Sequence, residues 1–184
     1  MRVISGEKRH ISLITLEKMD IRPTTDKIKE TLFNIIQFKL DNVNFLDIFA
    51  GSGAIGIEAL SRGARFATFI DNNREAIKII EENLKRTNLT EKAEIVHMDA
   101  SLSIELLSRK KIVYDIVFLD PPYDLDLYMD VLKKLHLSHL INNDTIIILE
   151  TSKKDDVNKI VALGYEITRE KIYKNNKHVF LKKV

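Results

Sequence analysis

The sequence predicts an α/β domain in which helices cover both faces of a mostly parallel sheet. From residue 43 onward, short apolar runs alternate with longer amphipathic segments. This alternation is typical of βαβ units, whose strands lie parallel in one sheet. A length of 184 residues suits a single hydrophobic core. We therefore expect one domain over residues 1–184, made of a core over residues 41–184 and an N-terminal extension over residues 1–40.

The apolar runs predict five buried strands, and the segments between them predict five helices. The predicted strands are 44–49, 66–71, 94–98, 115–120 and 145–151. The predicted helices are 54–62, 74–87, 102–110, 127–135 and 154–163. Gly164 follows the last helix as a stop signal. Beyond it, the strand-like segments 165–173 and 178–182 flank the turn-rich residues 174–177, which predicts a terminal hairpin.

The N-terminal extension has a different pattern. Residues 3–5 and 11–16 are strand-like and flank the charged loop 6–10, which predicts a small β-hairpin. Pro23 forces an extended backbone, and a threonine after it predicts the N-cap of a helix. The apolar residues of this helix recur at helical spacing, so one face is expected to pack on the domain. They are Ile28, Leu32, Ile35 and Ile36.

The composition excludes several classes of site. The chain has no cysteine, which excludes disulfides, thiolate zinc sites and cysteine nucleophiles and suits a reducing compartment. The five histidines show no metal-ligand spacing, so we expect no metal site. No apolar run approaches the roughly 20 residues of a membrane span, and the N-terminus lacks the apolar region of a signal peptide. We therefore expect a cytoplasmic protein with no membrane partner.

Charge is unevenly distributed along the chain. Residues 1–40 carry a net charge of +3 and residues 151–184 carry +5, whereas residues 41–150 carry −6. An acidic cofactor cleft between surfaces that contact phosphate would have this pattern. An ordinary scatter of surface charge accounts for it equally well.

A glycine-rich segment lies where the first strand of the core turns into its helix. Gly51 and Gly53 let the backbone approach a ligand, and the following helix offers free N–H groups to an anion. Ligands bind at this carboxyl edge in open α/β sheets. The segment matches the dinucleotide fingerprint, with Asp71 in position to hold a ribose. A tight turn without a ligand is the alternative.

Two carboxylates favour S-adenosylmethionine over a dinucleotide. Asp47 precedes the glycines, where it would repel a pyrophosphate but attract the ammonium of a methionine moiety. Asp99 and Ala100 follow the third strand, near the expected position of an adenine amino group. Asp99 serves equally well as the N-cap of a helix that begins near Ser101. An NAD-dependent enzyme is the weaker alternative because of Asp47.

The segment Asp120-Pro121-Pro122-Tyr123 is the most informative stretch of the chain. The prolines end a buried strand, and because they carry no N–H the local backbone presents only acceptors. Such a surface suits an aromatic amine, whose N–H groups need acceptors. Tyr123 offers a face on which an extruded base can stack, an interaction worth about 1–3 kcal/mol. The alternative is a proline-terminated strand in which Asp120 is a turn residue and Tyr123 only packs.

At these residues the sequence resembles the RsmD family of bacterial methyltransferases, which act on the N2 amine of a guanine in small-subunit rRNA. The resemblance is densest in segments 22–34, 46–64 and 120–123. The third segment also occurs in adenine-N6 DNA methyltransferases, and the first is the more specific to the family. The resemblance implies a Rossmann-like class I methyltransferase fold, with a seven-stranded, mostly parallel sheet whose last strand runs antiparallel.

The resemblance also implies roles for individual residues. The implied catalytic residues are Asp120, Pro121, Pro122 and Tyr123. The implied contacts to S-adenosylmethionine are Asp47, Phe49, Ala50, Gly51, Ser52, Gly53, Asp71, Asn72, Asp99 and Ala100. For Arg22, Pro23 and Thr24 the resemblance implies either closure over the cofactor or contact with RNA, and both interpretations stay open. Arg9 is a further expected contact to RNA. His10 stands where the family has a glycine, which leaves the RNA contact of its loop open.

The expected function is methyl transfer from S-adenosylmethionine to a guanine N2 in small-subunit rRNA, carried out by a monomer on RNA within a small-subunit particle. Methylation of adenine in DNA or RNA, or of a protein glutamine amide, is an alternative that the same acceptor geometry serves. A ribosome-assembly module that binds RNA without turnover is a third possibility. The presence of both Asp120 and Tyr123 argues against it.

Overall fold

A seven-stranded sheet forms the centre of the protein in the computed structural model, which describes residues 1–15, 26–122 and 125–184. The strands are β1 (Asn44–Ile48), β2 (Phe66–Asp71), β3 (Ala93–His97), β4 (Ile116–Leu119), β5 (Ile146–Ser152), β6 (Tyr165–Ile172) and β7 (Asn176–Lys183). The helices are α1 (Asp26–Ile36), α2 (Ala54–Ser61), α3 (Arg74–Thr87), α4 (Ala100–Leu107), α5 (Leu125–Leu137) and α6 (Asn158–Val161). None of the helices in these ranges has the length and apolar character to cross a bilayer.

The strand order is β3-β2-β1-β4-β5-β7-β6. The first five of these strands are parallel, and β7 is antiparallel to both of its neighbours. From β1 the chain builds the sheet outward through β2 and β3 on one side, and it then crosses back to place β4 on the other side of β1. The strand order therefore reverses between β1 and β4, at the topological switch point where ligands bind in open α/β sheets. The expected Rossmann-like class I methyltransferase fold is confirmed, including the antiparallel last strand.

Helices pack on both faces of the sheet, as expected. One face carries α1, α2 and α3, and its core includes Phe33, Phe45 and Phe118. The opposite face carries α4, α5 and α6, and its core includes Leu46 and Leu132. Because adjacent residues of a strand point to opposite faces, the near-continuous apolar strands contribute side chains to both cores.

The first residues of the extension pair as a short hairpin. The N–H of Val3 donates to the carbonyl of Ile11 at 2.9 Å, and the N–H of His10 donates to Val3 at 2.9 Å. The hairpin contains one isolated antiparallel bridge, between Arg2 and Ser12, rather than two full strands. The expected threonine cap of α1 lies outside the described residues.

The prediction of a long helix over residues 154–163 is wrong, because α6 spans only Asn158–Val161. Two aspartates account for the loss of the first turn. Asp155 accepts hydrogen bonds from the hydroxyl of Thr151 and the N–H of Ser152, and Asp156 accepts one from the N–H of Asn158. Such local bonds compete with the helical ladder. Elsewhere α4 begins two residues earlier than expected, and the turn between β6 and β7 is tighter.

Candidate active site

The glycine-rich turn after β1 bends through three residues with a left-handed backbone. Phe49, Gly51 and Gly53 have φ values of 65°, 56° and 74°. The N–H of Ala50 donates to the carbonyl of Ile70 at 2.9 Å, which ties the turn to β2. A Cβ built on Gly51 would meet no atom within 4 Å. The turn is therefore open on that side, where a bound molecule can approach the backbone closely.

The third glycine of the fingerprint serves packing. A Cβ on Gly56 would lie 2.3 Å from Cε1 of Phe69, so only glycine lets α2 approach β2 this closely. Its N–H donates to Oδ2 of Asp47 at 2.9 Å. Asp47 is 1% exposed, and burial raises the pKa of its carboxyl to about 8; the Gly56 bond opposes this rise and the charge of Asp71 adds to it. A cation beside Asp47 would stabilise the ionised carboxylate.

Asp71 at the end of β2 anchors the turn. Its Oδ2 accepts the N–H of Gly51 at 2.8 Å, and its Oδ1 accepts the N–H of Asn73 at 2.8 Å. Each carboxylate oxygen has a second acceptor position, so these bonds leave capacity for ribose hydroxyls. Asn72 is exposed beside it, and its carbonyl lies 3.2 Å from Nε2 of His97. The ribose contact of Asp71 and Asn72 stays a prediction.

Asp99 caps α4, one of the two roles weighed from the sequence. Its Oδ1 accepts the N–H groups of Ser101 at 2.9 Å and Leu102 at 3.2 Å. Ala100 is buried in the first turn of the helix. The contact of Asp99 and Ala100 with adenine stays a prediction. It would use the acceptor positions of the Asp99 carboxylate that the helix cap leaves free.

Asp120 follows β4 and lies beside β1, with its N–H donating to the carbonyl of Ile48 at 3.3 Å. Pro121 is buried and Pro122 is exposed. Burial raises the pKa of Asp120 well above its ordinary value, and the negative charges of Glu150 and Asp47 raise it further. The structure thus brings Asp120 and the glycine turn to the same edge of the sheet. The predicted site residues Tyr123, Arg22, Pro23 and Thr24 lie outside the described residues.

Glu150 belongs to this edge and was not among the predicted site residues. Leu119 pairs with Leu149 across β4 and β5, which places Asp120 and Glu150 next to each other. Glu150 accepts a hydrogen bond from Asn176, and its Oε2 lies 2.9 Å from Nε2 of His178. The only signal in the sequence was an acidic residue near the end of the mostly apolar predicted strand 145–151. In the part of the chain that the structure describes, no three His, Asp or Glu side chains are placed to hold a metal ion.

Arg9 lies away from this edge. Its loop docks on the last residue of α2, where the N–H of Glu7 donates to the carbonyl of Ser61 at 2.7 Å and that of Lys8 donates to Oγ of Ser61 at 2.9 Å. The glycine turn is at the other end of α2, a helix about 12 Å long. The structure therefore does not bring Arg9 together with Asp120, and its contact with RNA stays a prediction.

Comparison with known proteins agrees with this geometry. The family model described as "Conserved hypothetical protein 95" matches residues 1–182. The chain belongs to this family, that of the RsmD proteins. YlbH of Bacillus subtilis (strain 168) is 36% identical over 94% of each chain. Ribosomal RNA small subunit methyltransferase D of Escherichia coli (strain K12) is 33% identical over 94% of this chain and 84% of that protein.

A solved structure has the same architecture as this RsmD-family member. Escherichia coli yhhF is 30% identical and superimposes with a TM-score of 0.85, covering 100% of this chain and 97% of that one. The resemblance drawn from segments 22–34, 46–64 and 120–123 is thereby confirmed at the level of family and fold.

Proposed function

We propose that this protein transfers a methyl group from S-adenosylmethionine to the exocyclic N2 amine of a guanine in small-subunit rRNA. One observation carries the proposal. Asp120 and its two prolines follow β4 directly beside β1, whose carboxyl end continues into the open glycine turn. A cofactor on that turn and an amine on Asp120 would therefore lie side by side. The relatives named as small-subunit rRNA methyltransferases support RNA as the substrate.

The residues present fit S-adenosylmethionine. Gly51 leaves room against the backbone, Asp71 has acceptor capacity for a ribose, and buried Asp47 favours a cation beside it. The donor supplies a methyl group already activated on a sulfonium. The protein's task is therefore positioning, which by itself lowers barriers by about 7–11 kcal/mol when reacting atoms are well aligned.

At the acceptor, Asp120 and the proline-rich backbone offer oxygens and no competing donor N–H. They hold the N–H groups of the amine and orient its lone pair toward the methyl group. Asp120 then takes the proton that the nitrogen loses after methyl transfer. By the family resemblance, Tyr123 stacks on the extruded base. A base in a stem must leave its stack to reach this edge, at a cost of a few kcal/mol.

The RNA surface is proposed from charge and resemblance. Residues 1–40 and 151–184 are both net basic, and phosphate contacts dominate the affinity of proteins for RNA. Arg9 is exposed on its loop. Arg22, Pro23 and Thr24 are proposed to contact RNA or to close over the cofactor, and RNA within a small-subunit particle is the proposed substrate of a monomeric enzyme.

Methyl transfer from radiolabelled S-adenosylmethionine tests the proposal. Unmodified small-subunit rRNA, small-subunit particles that lack the modification, and double-stranded DNA are offered side by side, and the products are digested to nucleosides. We expect label in N2-methylguanosine from the rRNA or the particles. Label in N6-methyladenine, in the protein fraction or in no product contradicts the proposal. A protein with Asp120→Asn controls for contaminating enzymes.

A further inference from the structure

A line of buried and half-buried polar side chains runs from Glu150 into the terminal hairpin. Glu150 in the second half of β5 is 9% exposed, and His178 of β7 is 0% exposed. The line continues to Tyr173, the residue after β6, whose hydroxyl lies 3.1 Å from Nδ1 of His178. Buried polar groups are costly unless hydrogen-bonded, so a line of this kind in a sheet core needs a reason.

The polar side-chain atoms of Glu150, His178 and Tyr173 all have partners. Nδ2 of Asn176 donates to Oε1 of Glu150. The hydroxyl of Tyr173 donates to Nδ1 of His178, and Nε2–H of His178 donates to Oε2 of Glu150 at 2.9 Å, if the imidazole proton is assigned to Nε2. The ring of Phe118 contacts the imidazole edge-on, with centroids 6.0 Å apart. The carboxylate of Glu150 is therefore held in one orientation by two donors.

This carboxylate is adjacent to Asp120. The pairing of Leu119 with Leu149 brings the two acidic residues to neighbouring positions, directly after the last paired residues of β4 and β5. Within the described residues, the ionisable groups that face Asp120 are Asp47 from β1 and Glu150 from β5, with His178 behind Glu150. A negative charge held beside a half-buried carboxylate such as that of Asp120 increases the affinity of that carboxylate for hydrogen-bond donors and protons.

We propose that Glu150 is a positioning residue for methyl transfer: held by Asn176 and His178, its fixed charge strengthens the Asp120 carboxylate as acceptor for the amine. This inference rests on the proposed role of Asp120. As the new nitrogen–carbon bond forms and the sulfur–carbon bond breaks, the nitrogen becomes acidic, and its proton passes to Asp120 and then to water. Glu150 touches neither reactant.

Replacing Glu150 with glutamine removes the charge and keeps the hydrogen bonds. Oε1 of the glutamine still accepts from Asn176, and its amide donates to Nε2 of His178 once the imidazole proton moves to Nδ1 and is donated to Tyr173. We expect Glu150→Gln to fold normally and to bind S-adenosylmethionine as the wild type does. Glu150→Asp keeps the charge, and Glu166→Gln makes the same chemical change at an exposed position of β6 away from this edge.

Two measurements on these variants test the inference. The first is the pH profile of single-turnover methyl transfer, for which we expect Glu150→Gln to react about 10-fold to 100-fold more slowly. The acidic limb of the profile, where the rate falls as pH decreases, should move to lower pH in Glu150→Gln. The expected movement is about one pH unit or more, which is the size of the pKa shift that a nearby charge produces. Glu150→Asp should keep the acidic limb of the profile at its wild-type position, and so should Glu166→Gln.

The second measurement is a ¹³C NMR titration of the Asp120 carboxyl carbon, identified with Asp120→Asn, which requires no activity. A lower midpoint in Glu150→Gln supports the inference even if the nucleoside assay refutes guanine as the acceptor. An unchanged midpoint, or a slower reaction without movement of the acidic limb, overturns the role of Glu150. Either result leaves the proposed function in place as long as the wild-type protein forms N2-methylguanosine.

Discussion

The ammonium of Lys29 lies 3.1 Å from the carboxylate of Glu58, and both side chains are fully buried between α1 and α2. Glu58 also accepts hydrogen bonds from Nε of Arg62 at 2.7 Å and from the N–H groups of Ile4 and Ser5 at 2.8 and 3.0 Å. Burial lowers the pKa of Lys29, and the charge of Glu58 opposes that shift. One carboxylate thus joins the hairpin, α1 and α2.

Removing this carboxylate should be strongly destabilising. Glu58→Ala leaves the buried ammonium of Lys29 without its counter-charge and two backbone N–H groups without their acceptor. We therefore expect the free energy of unfolding to fall by about 3–5 kcal/mol. Urea denaturation measures it. The control is Glu82→Ala, which breaks an i,i+4 pair with Arg86 of the same chemistry on the exposed side of α3. Its effect should stay below about 1 kcal/mol. Similar losses in both variants would contradict the assigned role of burial.

His10 has a φ of 73°, which gives a physical reason for the glycine that the family has at this position. A left-handed backbone costs a non-glycine residue about 1–2 kcal/mol, and glycine loses about 0.4–1 kcal/mol through its more flexible unfolded chain. We therefore expect His10→Gly to stabilise the protein by roughly 0.5–1 kcal/mol in urea denaturation. His10→Ala keeps the strain and should not stabilise it. Equal gains in both would assign the effect to the imidazole ring instead.

Asp47 should couple cofactor binding to pH. Its pKa is about 8 in the free protein, and the ammonium of the methionine moiety should lower it by favouring the carboxylate. Binding then releases a proton, so the affinity for S-adenosylmethionine should rise from pH 6 to pH 7.5, by at most about tenfold per pH unit. Calorimetry in buffers of different ionisation enthalpy measures the release. Asp47→Asn should bind more weakly and lose this rise; an undiminished rise would exclude Asp47 as its source.

The same group affects stability without a ligand. Because the folded-state pKa of Asp47 is raised, its protonated form contributes stability that is fully present below the unfolded pKa near 4. That contribution is lost as pH rises through about 8. Asp47→Asn should therefore show a smaller decrease of melting temperature between pH 5 and pH 8 than the wild type. A parallel decrease in both proteins would show that other groups cause it.

Asp120 should be needed for methyl transfer and not for cofactor binding. Asp120→Asn keeps the size of the side chain but replaces one acceptor oxygen with a donor, so the amine is misoriented. We expect a loss of kcat of about 100-fold to 1000-fold, in the range of a lost acid–base group. The Kd for S-adenosylmethionine, measured by calorimetry, should change less than about threefold. Asp144→Asn on an exposed loop is the control, and unchanged turnover in Asp120→Asn would exclude the assigned role.

The proposed RNA surface of the extension makes a prediction about salt. Arg9→Ala and Arg22→Ala should each weaken RNA binding. Each should also reduce the slope of the logarithm of the binding constant against the logarithm of the salt concentration by about one, the amount that one lost phosphate contact accounts for. Filter binding at several salt concentrations measures the slope. Arg86→Ala is the control, since Glu82 already pairs with that guanidinium. An unchanged slope in both extension variants would place the RNA elsewhere on the protein.

Local signals were sufficient where they agreed with one another. The predicted bounds of β2 and α3 match the structure. For α3 the cause is local, because the side chain of Asn73 caps its start and Asn88 ends it with a left-handed backbone. The failure at α6 has the opposite cause. Its apolar pattern favoured a helix over residues 154–163, but the side chains of Asp155 and Asp156 bond to nearby groups and delay its start.

The sequence by itself determined the order of the elements, the glycine turn after β1 and the Asp-Pro-Pro motif after β4, because each depends on residues adjacent in the chain. Only the tertiary structure decided that β7 inserts between β5 and β6 and places His178 opposite Glu150. Strand neighbours and register between distant segments are set by packing of whole faces, which local periodicity does not encode. For that reason the line from Asp120 through Glu150 to Tyr173 was visible only in three dimensions.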